Sequence, residues 1–138
     1  MATGIRDKVA ILGMGCSRFG ERWDAGSPDL AEVHDGFSIT ALVTMEDLFL
    51  SDDGRAVLDA FDGKFDRDGA VPCRIDGGLK CFGHPIGASG LRMACEVYSQ
   101  LLGSAGERQL GSPSMGLTHN LGEVPYQGVV PISILGLH

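Results

Sequence analysis

A glycine-rich stretch at residues 77–90, GGLKCFGHPIGASG, limits the local fold of this chain more than any other part of its sequence. Proline fixes its own φ and keeps the preceding residue extended, so Pro85 lets the main chain orient the imidazole of His84. Gly87 and Gly90 allow the backbone to approach a ligand closely. An oriented imidazole is what a general base requires, although a Gly-His-Pro sequence alone more often marks a tight turn before a helix.

Size and charge exclude several classes of protein. The chain has 138 residues, of which 43% are hydrophobic, and this is enough for one domain with a modest core. A net charge of −7 argues against nucleic-acid binding, which needs clustered lysine and arginine. The four cysteines form no C-x-x-C pair, so we expect no metal site. No apolar run approaches the roughly 18 residues of a membrane span and no signal peptide is evident, so we expect a cytoplasmic protein without a membrane partner.

Hydrophobic patterns in the first half of the chain predict strands and helices. Residues 8–14 form a continuous apolar run that is typical of a central strand buried on both faces. A short helix is expected to begin after residue 28. Residues 30–33 predict a second strand, followed by a turn and a helix over residues 37–49. The acidic residues 51–69 are expected mostly at the surface, around a short helix. Three apolar side chains should anchor that helix: Val57, Leu58 and Phe61.

The second half of the chain predicts a helix and a pair of strands. Residues 90–102 predict a packed helix that ends at Gly103. The apolar stripe of this helix would consist of Leu91, Ala94, Cys95, Tyr98 and Leu101 or Leu102. Residues 114–119 and 128–135 are apolar, β-leaning runs separated by a turn that contains glycine and proline. These two runs predict strands that pair with each other.

Several motifs resemble the thiolase family. The stretch at residues 77–90 matches the thiolase pattern of a double glycine followed by G-H-P-x-G-x-S-G. EVHDGF at residues 32–37 and THNLG at residues 118–122 are similar to elements of the sterol-carrier-protein-like thiolase branch. The opening KVAILGMGCSRFGERWD resembles the first strand and loop of bacterial and archaeal members of this branch, which includes acetyl-coenzyme A acetyltransferases. The resemblance covers both ends of the chain and is loose over residues 51–71.

This resemblance implies that three histidines are catalytic. The family residue matching His84 activates a nucleophilic cysteine and helps to hold a thioester oxygen. The residue matching His34 lines the oxyanion pocket, and the residue matching His119 lies where a proton is transferred to the second substrate. A Claisen condensation passes through an enolate, and an imidazole can donate a hydrogen bond to that oxyanion. From the residues alone, His34 could equally be a helix-entry residue bonded to the backbone, and His119 a loop histidine beside a strand.

The same loop would bind a coenzyme A thioester, which the resemblance implies as a substrate rather than as a bound cofactor. Gly83, Gly87 and Ser89 would contact this thioester. Coenzyme A is anionic, so it also needs a local basic patch. Three basic side chains could form that patch: Arg74, Lys80 and Arg92.

The nucleophilic cysteine of a thiolase is not identifiable in this chain. The reaction needs a thiolate to take the acyl group from coenzyme A. Cys16 matches a position in the opening loop that is not the nucleophile of the family. Cys81 lies inside the glycine loop, and Cys95 falls on the helix stripe, where a small buried apolar residue is expected. Arg74 and Glu123 also replace an asparagine and a glycine of the family, which indicates relaxed selection on the site.

The resemblance implies an α/β protein with a partial thiolase-like fold, a mixed sheet with helices that corresponds mainly to the C-terminal thiolase half. Residues 1–30 would form the thiolase-like N-terminal strand and loop, and residues 31–138 the C-terminal domain, with the central region missing. Such a join exposes sheet edges and apolar helix faces. We therefore expect a homo-oligomer or a complex with a second thiolase-like chain.

Two functions remain open. The first is thiolase-type acyl transfer on acyl-coenzyme A thioesters, by Claisen condensation or thiolysis, which would be incomplete without a nucleophilic cysteine. The second is a non-catalytic thiolase remnant that binds acyl-coenzyme A or a thiolase partner. A plain structural α/β domain is disfavoured, because three histidines in three matching motifs would then be a coincidence.

Overall fold

The computed structural model describes residues 9–15, 27–124 and 127–137. Six strands are present in this part of the chain: β1 Val9–Gly15, β2 Leu30–Glu32, β3 Met115–His119, β4 Gly122–Val124, β5 Gln127–Val129 and β6 Ile132–Leu137. Four α-helices accompany them: α1 Ser38–Asp47, α2 Ala56–Phe61, α3 Gly78–Phe82 and α4 Ser89–Leu101. A single 3₁₀ turn, Gly106–Arg108, follows α4. None of the helices described is both long and apolar enough to cross a membrane.

Four strands form one mixed sheet in the order β1-β6-β3-β2. β2 and β3 are parallel, with Leu30 opposite Gly116 and Glu32 opposite Thr118. β6 is antiparallel to both β3 and β1. The predicted pairing of the last two long strands is confirmed, and the turn between them contains the small hairpin β4-β5. Because β2 and β3 run in the same direction, the residues that follow them meet at one edge of the sheet.

The predicted central position of the first strand is wrong. β1 is at the end of the sheet and pairs with β6 alone among the described residues. At the opposite end, β2 is covered by the segment before α3. The Ala31 amide donates to the Pro72 carbonyl at 2.9 Å, and the Arg74 amide donates to the Ala31 carbonyl at 3.0 Å. A continuous apolar run therefore did not distinguish a central strand from an edge strand.

Helix α4 packs on the sheet through a face that differs from the predicted stripe. The helix and its end before Gly103 are confirmed, but Leu91 is 70% exposed and Cys95 is exposed. The buried face consists of Ser89, Met93, Glu96, Val97, Gln100 and Leu101. Of the predicted stripe, Leu101 is buried, whereas the other buried positions include polar residues that are paired inside the protein and that hydropathy alone does not select. At Gly116 a Cβ atom would meet Val97 and Leu30, so the bare backbone lets α4 lie close to β3.

Helix α1 confirms the helix predicted over residues 37–49 and packs through Ala41 and Met45 on Val33. The acidic segment after it contributes Phe65 and Val71 to the same core, although most of that segment is exposed as predicted.

Two other expectations for this half of the chain are wrong. Residues 27–29 lead into β2 without a helix. Helix α2 is present, but its three predicted anchors are exposed: Val57, Leu58 and Phe61. The buried residue of α2 in the core is instead Ala56. Phe37 and Ile39 at the start of α1 are also largely exposed, so apolar helix surface remains uncovered in the chain alone.

Candidate active site

Three histidines lie at the carboxyl ends of the parallel strands β2 and β3, a region called the histidine edge below. His119 is the last residue of β3, and His34 follows β2 by two positions. His84 comes from the loop between α3 and α4, and its ring contacts that of His34 edge-on, with the ring centroids 4.8 Å apart. His34 is also near enough to His119 to lower the pKa of that imidazole. The structure therefore brings together the three histidines that the sequence singles out.

His84 lies exposed in the glycine loop, and a hydrogen bond to Ser89 orients its ring. Gly83 ends α3 with a φ of +72°, a conformation that glycine adopts without strain, and so turns the chain toward His84. The Nδ1 atom of His84 lies 2.8 Å from the Oγ atom of Ser89, which is 4% exposed. Ser89 is thus a support for the imidazole in this structure. Contact of Gly83, Gly87 and Ser89 with a coenzyme A thioester stays a prediction.

His34 and His119 are buried, with 8% and 6% of their surfaces exposed. Burial lowers the pKa of His119, and the nearby His34 lowers it further. At neutral pH His119 is therefore an uncharged imidazole, which can both accept and donate a hydrogen bond. Its Nδ1 atom has no hydrogen-bond partner among the described residues. A buried nitrogen without a partner is costly, so the fold does not itself satisfy this side chain.

Two carboxylates near the three histidines link the segments that form this edge. Asp35 accepts a hydrogen bond from the Leu79 amide at 2.9 Å and pairs with Arg74 at 3.4 Å, so it joins the end of β2 to the start of α3. Glu32 on β2 is fully buried and lies 3.5 Å from Arg92 of α4. Burial raises the pKa of Glu32 to about 7, although Arg92 opposes this increase. The sequence analysis did not identify either carboxylate as part of the site.

The basic patch expected for coenzyme A is largely engaged within the protein. Arg74 pairs with Asp35, and Arg92 pairs with Glu32 and Asp76. These two arginines balance internal carboxylates, and their assignment to a basic patch for coenzyme A stays a prediction. Lys80 remains exposed on α3.

The described cysteines differ in their accessibility. Burial raises the pKa of the Cys73 thiol to about 12, so it does not ionise near neutral pH. Cys81 and Cys95 are exposed and reduced, which contradicts the expectation that Cys95 is buried. Cys16 and the side chain of Glu123 lie outside the described part of the chain. Within that part, no three His, Cys, Asp or Glu side chains group as metal ligands.

A cavity of about 510 Å³ lies at the other end of the parallel strand pair, beside Asp29 and Gln109. None of the three histidines lines it. The imidazoles of the three histidines lie instead at the histidine edge, where His84 is exposed. This edge is therefore open on the side of His84.

Curated proteins with similar sequences include an acetyl-CoA acetyltransferase and sterol carrier protein 2. An acetyl-CoA acetyltransferase of Methanothermobacter thermautotrophicus is 45% identical over 97 residues, which are 70% of this chain and 25% of that protein. Sterol carrier protein 2 of Gallus gallus is 40% identical over 96 residues, which are 68% of this chain and 17% of that protein. The chain thus spans a quarter or less of the length of these relatives.

The fold agrees with a solved structure and with a family profile. A chain of the Ltp2-ChsH2(DUF35) aldolase matches 80% of this chain, with a TM-score of 0.64 and 21% identity, and this match covers 27% of the aldolase chain. At that identity the likeness concerns the fold alone, and it confirms the predicted α/β class. The profile described as thiolase C-terminal domain-like matches residues 22–135, which is most of the chain. The predicted resemblance is therefore confirmed, and this protein belongs to the thiolase C-terminal domain-like family.

Proposed function

We propose that this chain supplies the histidine half of a thiolase-type acyl-transfer site that acts on acyl-coenzyme A thioesters. The observation that carries the proposal is the contact between His84, exposed and held by Ser89, and the buried His34. His84 would act as the base, while His34 would donate a hydrogen bond to the thioester oxygen. Donors placed around a developing enolate stabilise it in a site shielded from water.

His119 would transfer a proton to or from the second substrate. Its uncharged state at neutral pH suits this role, because an imidazole without a proton at one nitrogen can accept one there. The unpaired Nδ1 atom supports the same role, since a substrate group would supply the missing partner.

The nucleophilic cysteine would come from a second thiolase-like chain. Cys73 is unsuitable because it is buried and its pKa is raised to about 12. The exposed apolar side chains Phe37, Ile39 and Phe61 offer surface for such a partner. A complex with a second chain is therefore part of this proposal, and a homo-oligomer stays a prediction.

The alternative function is non-catalytic binding of acyl-coenzyme A or of a thiolase partner. The lack of an identifiable nucleophilic cysteine among the described residues favours it, since Cys73 is buried and neither Cys81 nor Cys95 matches the nucleophile of the family. Under this alternative the histidines would bind the thioester oxygen but no carbon–carbon bond would form or break.

Thiolysis of acetoacetyl-coenzyme A by the purified full chain tests the two functions, beside titration calorimetry with acetyl-coenzyme A. His84→Ala should weaken any turnover at least about 100-fold, the usual loss when a general base is removed. His138→Ala is the matched control, since this histidine belongs to none of the three motifs. Binding without turnover would favour the alternative. Turnover unchanged in His84→Ala, or neither binding nor turnover, would contradict the proposal.

Deuterium exchange at the α-carbon of acetyl-coenzyme A isolates the histidine half of the reaction. Exchange needs a base and an oxyanion donor, but it needs no cysteine. We expect the wild-type chain to accelerate exchange in D₂O, as followed by NMR, and His119→Ala or His34→Ala to remove that acceleration. Exchange at the spontaneous rate in the wild-type chain, with the ligand bound, would count against a catalytic role.

A further inference from the structure

We propose that Arg92 is a positioning residue, which holds the segments that carry His34 and His84 at their observed separation through ion pairs with Glu32 and Asp76. The catalytic significance of this role rests on the proposed function, whereas the structural coupling can be measured without it.

The contacts of Arg92 join three parts of the candidate active site. Arg92 lies near the start of α4, and its guanidinium is 3.5 Å from the carboxylate of Glu32 on β2. It also forms an ion pair with Asp76, in the loop before α3. The guanidinium lies over the ring of Phe82, 5.2 Å from the ring centroid. Glu32 and Phe82 each precede one of the paired histidines, His34 and His84, by two residues.

The ion pair with Glu32 is strongly shielded from water. Glu32 is 0% exposed and the Arg92 side chain is 17% exposed. Neither the Glu32 oxygens nor the Arg92 nitrogens have a hydrogen-bond partner among residues 27–122 and 128–137, so the two groups interact through their charges. Arg92 is therefore the main compensation for a buried carboxylate. Removing Arg92 leaves this carboxyl without its compensation, so Glu32 must take up a proton or move, and either change alters its contact with α4.

The ion pair with Asp76 extends this coupling to the loop of His84. Asp76 also accepts a hydrogen bond from the Gly78 amide at 2.8 Å, at the start of α3. Helix α3 is only five residues long and ends directly before Gly83 and His84. Movement of Asp76 would thus be transmitted along α3 to His84, while movement of Glu32 would be transmitted along β2 to His34.

A direct contact of Arg92 with the anionic part of coenzyme A is the competing role. The two carboxylate partners argue against it, because a guanidinium that already neutralises Glu32 and Asp76 has little positive charge left to offer a phosphate. The two roles predict different results in the ligand-free protein, since only positioning acts before a ligand binds.

Imidazole NMR of the full chain tests the proposal. In wild-type protein the ring contact predicts a nuclear Overhauser cross-peak between His34 and His84. Arg92→Met should abolish this cross-peak and shift the ring signals of both histidines, while Arg92→Lys should restore them in part, because lysine keeps the charge but not the fork. Arg108→Met is the matched control. It removes a guanidinium that lies 2.8 Å from a second buried glutamate, Glu96 of α4, and should leave the histidine signals unchanged.

The amide spectrum of each variant reports whether it folds, and Asp76→Asn provides a milder variant if Arg92→Met does not. Asp76→Asn should shift the signals of His84 more than those of His34. Retention of the cross-peak in folded Arg92→Met, or unchanged His84 signals in folded Asp76→Asn, would overturn the proposal. Unchanged histidine signals combined with weaker binding of acetyl-coenzyme A would also overturn it in favour of direct ligand contact. Failure of the chain to turn over any thioester would leave these NMR outcomes intact, so the two proposals fail separately.

Discussion

The polar groups at the two ends of the parallel pair β2 and β3 differ in how completely they are hydrogen-bonded. At the end where the strands begin, one oxygen of Asp29 accepts hydrogen bonds from the Ser114 amide, the Ser114 hydroxyl and the Met115 amide, at 2.7–2.9 Å. Burial raises the pKa of Asp29, but these hydrogen bonds together lower it below its ordinary value. At the end where the strands finish, Glu32 and His119 have buried polar atoms without hydrogen-bond partners.

Helix α4 shows the same contrast along its length. Gln100, near its end, is 1% exposed and uses its amide fully: Nε2 donates to Glu96 and to the Arg108 carbonyl, and Oε1 accepts from the Leu110 amide. Near the start of the helix, Arg92 faces a Glu32 that has no such bonds. The protein thus pairs its buried polar groups through internal hydrogen bonds at the end where the strands begin and near the end of α4. In the described part of the chain, buried polar atoms without protein hydrogen-bond partners therefore lie at the end that carries the three histidines.

The largest expected effect is on the satisfied end. Gln100→Leu removes three hydrogen bonds and leaves the Leu110 amide unpaired, so the free energy of unfolding should fall by about 4 kcal/mol. Urea unfolding followed by circular dichroism measures this loss. Ser104→Ala removes one exposed hydrogen bond and is the control, with an expected loss below about 0.5 kcal/mol. If Gln100→Leu lowered the free energy of unfolding as little as Ser104→Ala does, the contrast between the two ends would be contradicted.

A somewhat smaller effect is expected from Glu32, and it depends on pH. Burial raises the pKa of Glu32 from 4.5 in the unfolded chain to about 7 in the folded chain, so the folded chain holds this proton more tightly. Stability contributed by the protonated form is present below pH 4.5 and is lost as the pH rises through 7, by up to about 3 kcal/mol. Glu32→Gln should lack this loss. Urea unfolding at several pH values between 4 and 8 measures the difference between the two proteins, and parallel pH profiles would contradict it.

The smallest expected effect has the opposite sign. His119→Leu replaces a buried imidazole whose Nδ1 atom is unpaired, so the variant should be more stable than wild type by about 0.5–1 kcal/mol at neutral pH. The gain should increase as the pH falls below 6.5, because protonation of the wild-type histidine opposes burial of its ring. Thermal unfolding of the two proteins measures the gain. A loss of more than 1 kcal/mol would show that His119 belongs to the satisfied part of the fold.

Local patterns in the sequence predicted the elements that local physics determines. The strand before His34, helix α1, helix α4 up to Gly103 and the pairing of β3 with β6 are each a continuous run with a clear period or a glycine end. The three histidines were recognised because each lies in a short motif. Their proximity follows from the parallel register of β2 and β3 and from the loop that ends at Ser89.

Other features depend on residues that are distant in the sequence. Nothing within residues 8–14 indicates that β1 pairs with β6 at the end of the sheet. The buried face of α4 was missed because Glu96 and Gln100 find partners at Arg108 and Leu110, beyond the helix. The cluster of Glu32, Asp76 and Arg92 was missed because its members lie on three separate elements and no local pattern connects them.

At Gly116, the distance between α4 and β3 decides whether a substitution is tolerated. A methyl group there would meet Val97 and Leu30, and would lift a helix of 13 residues, about 20 Å long, from the sheet. The start of that helix carries Ser89 and Arg92. A saturation screen scored by activity would therefore rank Gly116 with the histidines, although glycine contributes no chemical group. Loss of function at such a position would report a spacing, and should not be taken to identify a catalytic residue.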